Sequence, residues 1–111
     1  STDNSFVVTS LANAAKALKG MVCGVAKAAA TSGTTSYLYI WIQVGGYNAS
    51  SNVATSSAAN ADLHTSATGG RLSGTGVGGT SATVTGVVGL ATAASNTAAT
   101  MLNNPTIGAA D

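Results

Sequence analysis

YLYIWIQVGGY, residues 37–47, holds the only Trp, all three Tyr and two of the three Ile of the chain. Aromatic and β-branched side chains suit a pleated, half-buried surface, so the stretch reads as a strand. Side chains alternate along a strand, which places Tyr37, Tyr39, Trp41 and Gln43 on one face and Leu38, Ile40, Ile42 and Val44 on the other. The second face is purely aliphatic and is expected to look into the core. The first carries large rings with polar tips, which suits a partly wet surface or a contact with another chain. Gly45 and Gly46 are expected to end or sharply bend the strand.

Around this stretch the residues are small. Ala, Gly, Ser and Thr make up 65 of the 111 residues, whereas Leu, Ile, Val and Phe make up 21. So low an apolar content accompanies disorder when net charge is high. Here charged residues are 6% and the formal net charge is +1, so self-repulsion does not hold the chain open. The expectation is one domain with a thin core, tight β packing and help from neighbours. The charges are Lys16, Lys19, Lys27 and Arg71 against Asp3, Asp62 and Asp111. Such a balance lacks the basic stripe of a nucleic-acid binder and the polybasic cluster of an anionic-lipid binder, so neither nucleic acid nor membrane is an expected partner. A surface this short of charge fits a protein that works while assembled on something, or a Thr/Ser-rich extracellular module kept soluble by hydroxyls. No stretch reaches the length of a membrane span and no basic signal region opens the sequence. Cys23, the single cysteine, excludes an internal disulfide and a cysteine-rich zinc site, and its apolar neighbours predict a buried, inert thiol.

Outward from the central strand, the chain divides into an N-terminal arm at 1–9, a single β domain at 10–105 and a C-terminal tail at 106–111. Phe6, Val7 and Val8 form a short strand-like run. Leu11, Ala14, Ala15 and Leu18 recur at helical spacing after a capping Ser10, with Lys16 and Lys19 near the far end and Gly20 to stop it; this predicts a short helix, or failing that a loop. Residues 21–30 read as a strand, and the turn at 31–36, centred on Gly33, makes a hairpin of it with the central strand. The segment 48–60 is polar with Val53 as its apolar anchor, and a weak strand fits 52–56. Short strands fit 61–66 and 70–73, a loop fits 74–81, a strong strand fits 83–93, and a closing strand fits 98–103. That last strand is expected to stop at Asn104 and Pro105, because Pro cannot donate to a ladder. Short strands at this spacing predict an all-β fold, a small antiparallel sandwich or barrel with one short N-terminal helix or loop.

Candidate chemistry is sparse. Gly74, Gly76 and Gly79 spell GxGxxG, but a dinucleotide site needs a helix next and SATVTGVVG is strand-like. Asp62 and His64 lie two apart on one strand face, where a carboxylate could orient the imidazole, but no Ser sits in a nucleophile turn. Neither a catalytic residue, a metal site nor a cofactor is expected. Tyr37, Tyr39 and Trp41 could stack on sugar rings or pack in an interface, and Arg71 could be an ion-pair partner or an assembly contact.

LKGMVCGVAKAA, SYLYIWIQVGGY and the run from ADLHTSATGGRLSG through TVTGVVGLATAAS to MLNNP, in that order, resemble the small decoration, or cement, proteins of tailed-bacteriophage capsids. The carriers are Trp41, Gln43 and Gly46 in a W-x-Q-x-x-G-like strand end, Gly70-Arg71-Leu72 after a glycine turn, and a late strand from 86 to 94. Leu90, between Gly89 and Ala91, departs from the family's pattern. The resemblance spans about residues 18–105 and implies a non-enzymatic β domain on the outer capsid surface, often trimeric, bridging major capsid subunits. On that reading Tyr37, Tyr39, Trp41, Gln43 and Arg71 are the candidate interface. The alternative is a carbohydrate-binding or adhesion module using Tyr37, Tyr39 and Trp41 as its platform.

Overall fold

Residues 97–103, TAATMLN, alternate as a half-buried strand must: Ala98, Thr100 and Leu102 are buried, while Thr97, Met101 and Asn103 are exposed. In the computed structural model, which describes residues 11–27 and 41–111, this segment begins the strand about which the fold is built. The strands are β1 (Val25–Ala26), β2 (Ile42–Gln43), β3 (Gly45–Asn52), β4 (Leu63–Thr65), β5 (Leu72–Ser73), β6 (Ala82–Gly89) and β7 (Thr97–Ala110). A five-stranded sheet runs in the order β3-β7-β6-β4-β5, and β1 pairs with β2 as a separate two-stranded ribbon. All of these pairings are antiparallel. The fold is all-β, as the turn spacing predicts.

The sheet is organised by β7 and not by the aromatic stretch. Gly45 to Asn52 pair with one side of β7 and Ala82 to Gly89 with the other. The expected stop at Asn104 and Pro105, and with it the short tail at 106–111, is not what the chain does: β7 passes through Pro105 and continues to Ala110. The reason is a bulge. Thr85 pairs with Thr106 and Val87 with Leu102, so Asn103, Asn104 and Pro105 all lie opposite Gly86 alone. A proline needs no ladder partner at a bulge. Asn104 takes a left-handed φ of 46° and Gly86 one of 79°, which the bulge requires. Beyond it, residues 20–23 edge β7: Gly20 N–H donates to the Ile107 carbonyl at 2.7 Å, Ile107 N–H to Met21 at 3.0 Å, and Cys23 N–H to Pro105 at 2.9 Å.

The core lies on one face of this sheet. Val53, Leu63, Ala93 and Ala98 are buried together, with Leu72 and Val87 packed against them. Two loops cover them and are sewn to each other. Ser56 N–H donates to Ala93 O and Ala93 N–H to Ser57 O, both at 2.9 Å, while Asn60 N–H donates to Gly89 O at 2.8 Å. The core is thin, as the composition predicts, and polar residues complete it. Buried Thr65 accepts from Ala82 N–H and donates to Asn13 Oδ1, both at 3.0 Å. Buried Ser51 and Thr100 share a hydroxyl hydrogen bond at 2.7 Å. Thr65→Val keeps the volume but leaves the Ala82 N–H without its acceptor, so it should cost about 1–3 kcal/mol in denaturant unfolding.

Several local expectations need correction. Residues 11–20 do not form an α-helix: the chain makes a five-residue 3-10 turn at Asn13–Ala17, and Leu18, placed on the buried face by its spacing, is exposed. Ten residues are too few to hold an α-helix without docking on all of their apolar positions. The hairpin between 21–30 and the central strand is present at its base, with Val25 opposite Gln43 and Ala26 opposite Ile42. Among the described residues the central strand is Ile42–Gln43 and breaks at Val44, and a second strand, β3, occupies 45–52, where the sequence suggested only a weak strand at 52–56. Of the central stretch's aliphatic face, the two described residues are not in the core: Ile42 is half-buried and Val44 exposed. Leu38 and Ile40 lie outside the described residues, as do the run at 6–8, the Ser10 cap, the Gly33 turn and the arm at 1–9.

Candidate functional site

Among the described residues, only one face of the sheet is covered. On the other, Tyr47 of β3, Met101 of β7 and Val88 of β6 stand in direct cross-strand register. Farther along, Val22, Thr106 and Thr85 repeat the arrangement, with Val22 bridged to Thr106 and the two threonine hydroxyls 2.8 Å apart. Val22 is 68% exposed, Tyr47 59% and Met101 41%. A shallow groove of about 270 Å³, lined by Gly86, Val87, Val88, Met101 and Asn103, lies along the middle. These residues carry methyls, hydroxyls, an amide and one phenol, and no charge. The surface can make dispersion and neutral hydrogen-bond contacts with a flat partner.

Of the residues expected at an interface, Tyr37 and Tyr39 lie outside the described residues. Trp41 is 84% exposed at the start of the ribbon. Gln43 is half-buried, and its carboxamide is fully engaged: Nε2 donates to the Gly45 and Tyr47 carbonyls, both at 2.9 Å, and Oε1 accepts from Asn48 Nδ2 at 2.9 Å. Arg71 is also half-buried, with Nε donating to Asn52 Oδ1 at 3.0 Å. Asn52 ends β3 while Gly45 begins it, so Arg71 and Gln43 serve opposite ends of one strand and do not form one patch. Tyr47, Met101, Val88 and Val22 were missed. Alternation separates Met101 from Leu102, but nothing in AATMLN says which of the two faces the core.

His64 does not pair with Asp62, which is exposed; its Nδ1 lies 2.9 Å from Asp111 Oδ2. Asp62 shares the strand's neighbourhood, but β7 brings Asp111 over the imidazole from 47 residues away. Thr83 Oγ1 donates to Asp111 Oδ1 at 2.9 Å, and Ser81 Oγ donates to Oδ2. Ser81 is buried and bonds the carboxylate instead of the imidazole, so the three side chains are not arranged as a Ser–His–Asp relay. They close the end of the sheet. The glycine-rich loop lies over them, and a Cβ on Gly76 would come within 2.8 Å of both His64 Nδ1 and Asp111 Oδ2. The loop passes directly into β6, as its composition predicts, and not into a helix.

The Ser81 hydroxyl, and after it Thr83 and His64, hold the Asp111 carboxyl below the ordinary carboxylate range against the opposing effect of burial. A carboxyl that is more acidic folded than unfolded stabilises the fold above its unfolded pKa, and that contribution is lost as pH falls through the folded value. Thermal midpoints should therefore drop on acidification below about pH 4 more steeply for the parent than for Asp111→Asn. Cys23 is half-buried and not buried as its apolar neighbours suggested; desolvation nevertheless pushes its thiol up, which lowers its thiolate fraction at neutral pH. Among the described residues no three His, Cys, Asp or Glu side chains gather as metal ligands, and no helix is long and apolar enough to cross a membrane.

The chain is thus an antiparallel all-β protein with one sheet face that is uncharged and, among the described residues, open. Compared with protein-family models, curated proteins and solved structures, it matches none.

Proposed function

We propose that the chain is a structural virion protein, a decoration or cement protein that binds the outer surface of a tailed-phage capsid and stabilises the head. The observation that carries the reading is the uncharged sheet face of Val22, Tyr47, Val88 and Met101. A protein whose surface is nearly neutral and whose widest apolar face is open gains its remaining burial from a neighbour. The order of the motifs around Trp41, Gln43, Gly46, Gly70, Arg71 and Leu72 supports the same class. Its partner would be the major capsid protein, its place the outer shell of a particle assembled in the bacterial cytoplasm, and its unit a homotrimer. Each contact of ordinary size buries about 800 Å² per partner, and repetition over a lattice multiplies modest single affinities.

The test is to mix the full chain with undecorated, expanded shells of the phage that encodes it and to image them. Saturable density at symmetry-related positions is expected, and no retention at micromolar concentration would overturn the reading. Tyr47→Ala combined with Met101→Ala should weaken retention by about tenfold or more, equivalent to about 1.4 kcal/mol, while the thermal midpoint stays near that of the parent. Sedimentation at three times the 10.6 kDa chain mass checks the trimer.

The exposure of Trp41 supports a second reading, a carbohydrate-binding or adhesion module in which the indole stacks on a sugar ring. A glycan array separates the two: hits lost in Trp41→Ala would favour the second.

A further inference from the structure

We infer that the glycine-rich loop, residues 74–80, is an acid-released flap, latched over His64 by the carboxylate of Asp111. The loop has no apolar anchor: every residue from Thr75 to Thr80 is exposed, Val77 included. A segment without buried apolar contacts lies at the low end of local stability, so it can open while the sheet stays folded. Its entry is pinned where Gly74 N–H donates to Ser57 Oγ at 2.9 Å. The hydrogen bonds that hold the rest converge on the end of β7. Gly79 N–H donates to the Asp111 carbonyl at 2.7 Å, and Asp111 N–H to the Ser81 carbonyl at 2.9 Å. Gly76 rests directly on the His64–Asp111 pair, where even a methyl has no room. Beneath the loop, His64 and Thr83 stand in direct cross-strand register.

The latch works through one hydroxyl. Val77 N–H donates to Ser81 Oγ at 2.8 Å, and Ser81 Oγ donates onward to Asp111 Oδ2. A serine hydroxyl has a single proton, and the Val77 carbonyl, 3.3 Å away, is a second acceptor for it. The ionised carboxylate is the stronger acceptor and takes the proton. Thr83 Oγ1, 2.9 Å from Oδ1, and His64 Nδ1, 2.9 Å from Oδ2, hold the carboxylate in place. A proton on Asp111 undoes this arrangement. A neutral carboxyl accepts more weakly, and its own O–H is set among groups that are already donating to it. The charged and titratable groups nearby come from three elements. His64 faces the carboxylate from β4; Lys16, on the 3-10 turn, donates to the Gly79 carbonyl of the loop; Asp62, just before β4, is exposed. Protonating His64 would strengthen its attraction to the carboxylate, so the carboxyl and not the imidazole is the release.

Residue-resolved amide exchange on the full chain, corrected for intrinsic rates, tests this. As the parent is acidified, protection of the Val77 and Gly79 amides should fall by about tenfold or more, with a midpoint below the ordinary aspartate value of about 3.9, while the Leu102 amide stays protected. Asp111→Asn, which removes the charge and keeps the shape, should show the low protection already at pH 7 and little further change on acidification. Gly76→Ala wedges a methyl against the pair and should lift the loop at pH 7 with the carboxylate intact. The inference is overturned if neither variant lowers protection of the loop at pH 7. It is overturned equally if the parent's midpoint falls near the ordinary imidazole value of about 6.5, or if Leu102 loses protection together with the loop. Loss of the fold in Asp111→Asn, read by circular dichroism, would make Asp111 a residue of the whole sheet and would also overturn it.

Discussion

Gly86→Ala should unfold at a much lower denaturant concentration than the parent, with a loss of about 3–5 kcal/mol out of the roughly 5–15 kcal/mol that hold a domain folded. Two effects add at this position. The φ of 79° is one that a residue with a side chain adopts only at a cost of order 1–3 kcal/mol. The new methyl would also stand 2.5 Å from the Asn103 carbonyl oxygen and 3.1 Å from Pro105 Cα. Both are backbone atoms of β7, fixed by pairing on its other side to Gly45 and by the contacts of Cys23, so the clash cannot be relieved by turning a side chain. Gly45→Ala is the control. A Cβ there meets nothing within 4 Å, so its loss should stay below about 1 kcal/mol. Equal midpoints for Gly86→Ala and the parent would refute the bulge as described.

Leu63→Ala should be nearly as damaging, at about 2–5 kcal/mol. Leu63 is fully buried; of the four described residues that cluster at the centre of the core, itself included, two are alanines, with Val53 the other large one, and Val84 is its cross-strand partner. The two alanines beside Leu63 have no side chain to shift into a vacated volume, and the cavity cost rises when a site cannot collapse. For a domain of about this size each kcal/mol lowers the thermal midpoint by about 4–8 °C, so a drop of at least about 10 °C is expected. Leu72→Ala, at the half-buried rim of the same cluster, should cost visibly less.

The all-β class was legible because turn residues punctuate the chain and Val, Thr and Gly dominate its late segments. The loop at 74–81 and the strands near 63, 72 and 83 were legible for the same reason, being bounded by glycines and hydroxyl residues. The centre of the fold was not. Aromatic content marks residues 37–47, but the strongest strand former is not always the best-connected strand: β7, built largely of Ala, Thr and Asn, is flanked on both sides while, among the described residues, β3 lies at an edge. Propensity measures how a side chain suits a pleated surface and says nothing of how many neighbours the backbone will have. Pro105 misled for a related reason, since its missing N–H matters only where a partner carbonyl waits for it. The Asp62–His64 pairing rested on nearness in sequence, and Asp111 could be found only by bringing β7 across the sheet. The open face was half-legible: Tyr47 stands in the aromatic stretch, but its companions Met101 and Val88 join it only through register.

The 14-residue length of β7 also dictates when the molecule can come together. Every segment that β7 pairs with precedes it in the chain: 20–23, 45–52 and 82–89 all emerge from the ribosome before the strand that joins them. Until it arrives, β3 and β6 have no common neighbour and the edge that each presents to β7 stands bare, so many hydroxyls and few large apolar groups favour a nascent chain that stays out of aggregates. The sparse core that makes the finished protein sensitive to Leu63→Ala is also what lets the unfinished one wait.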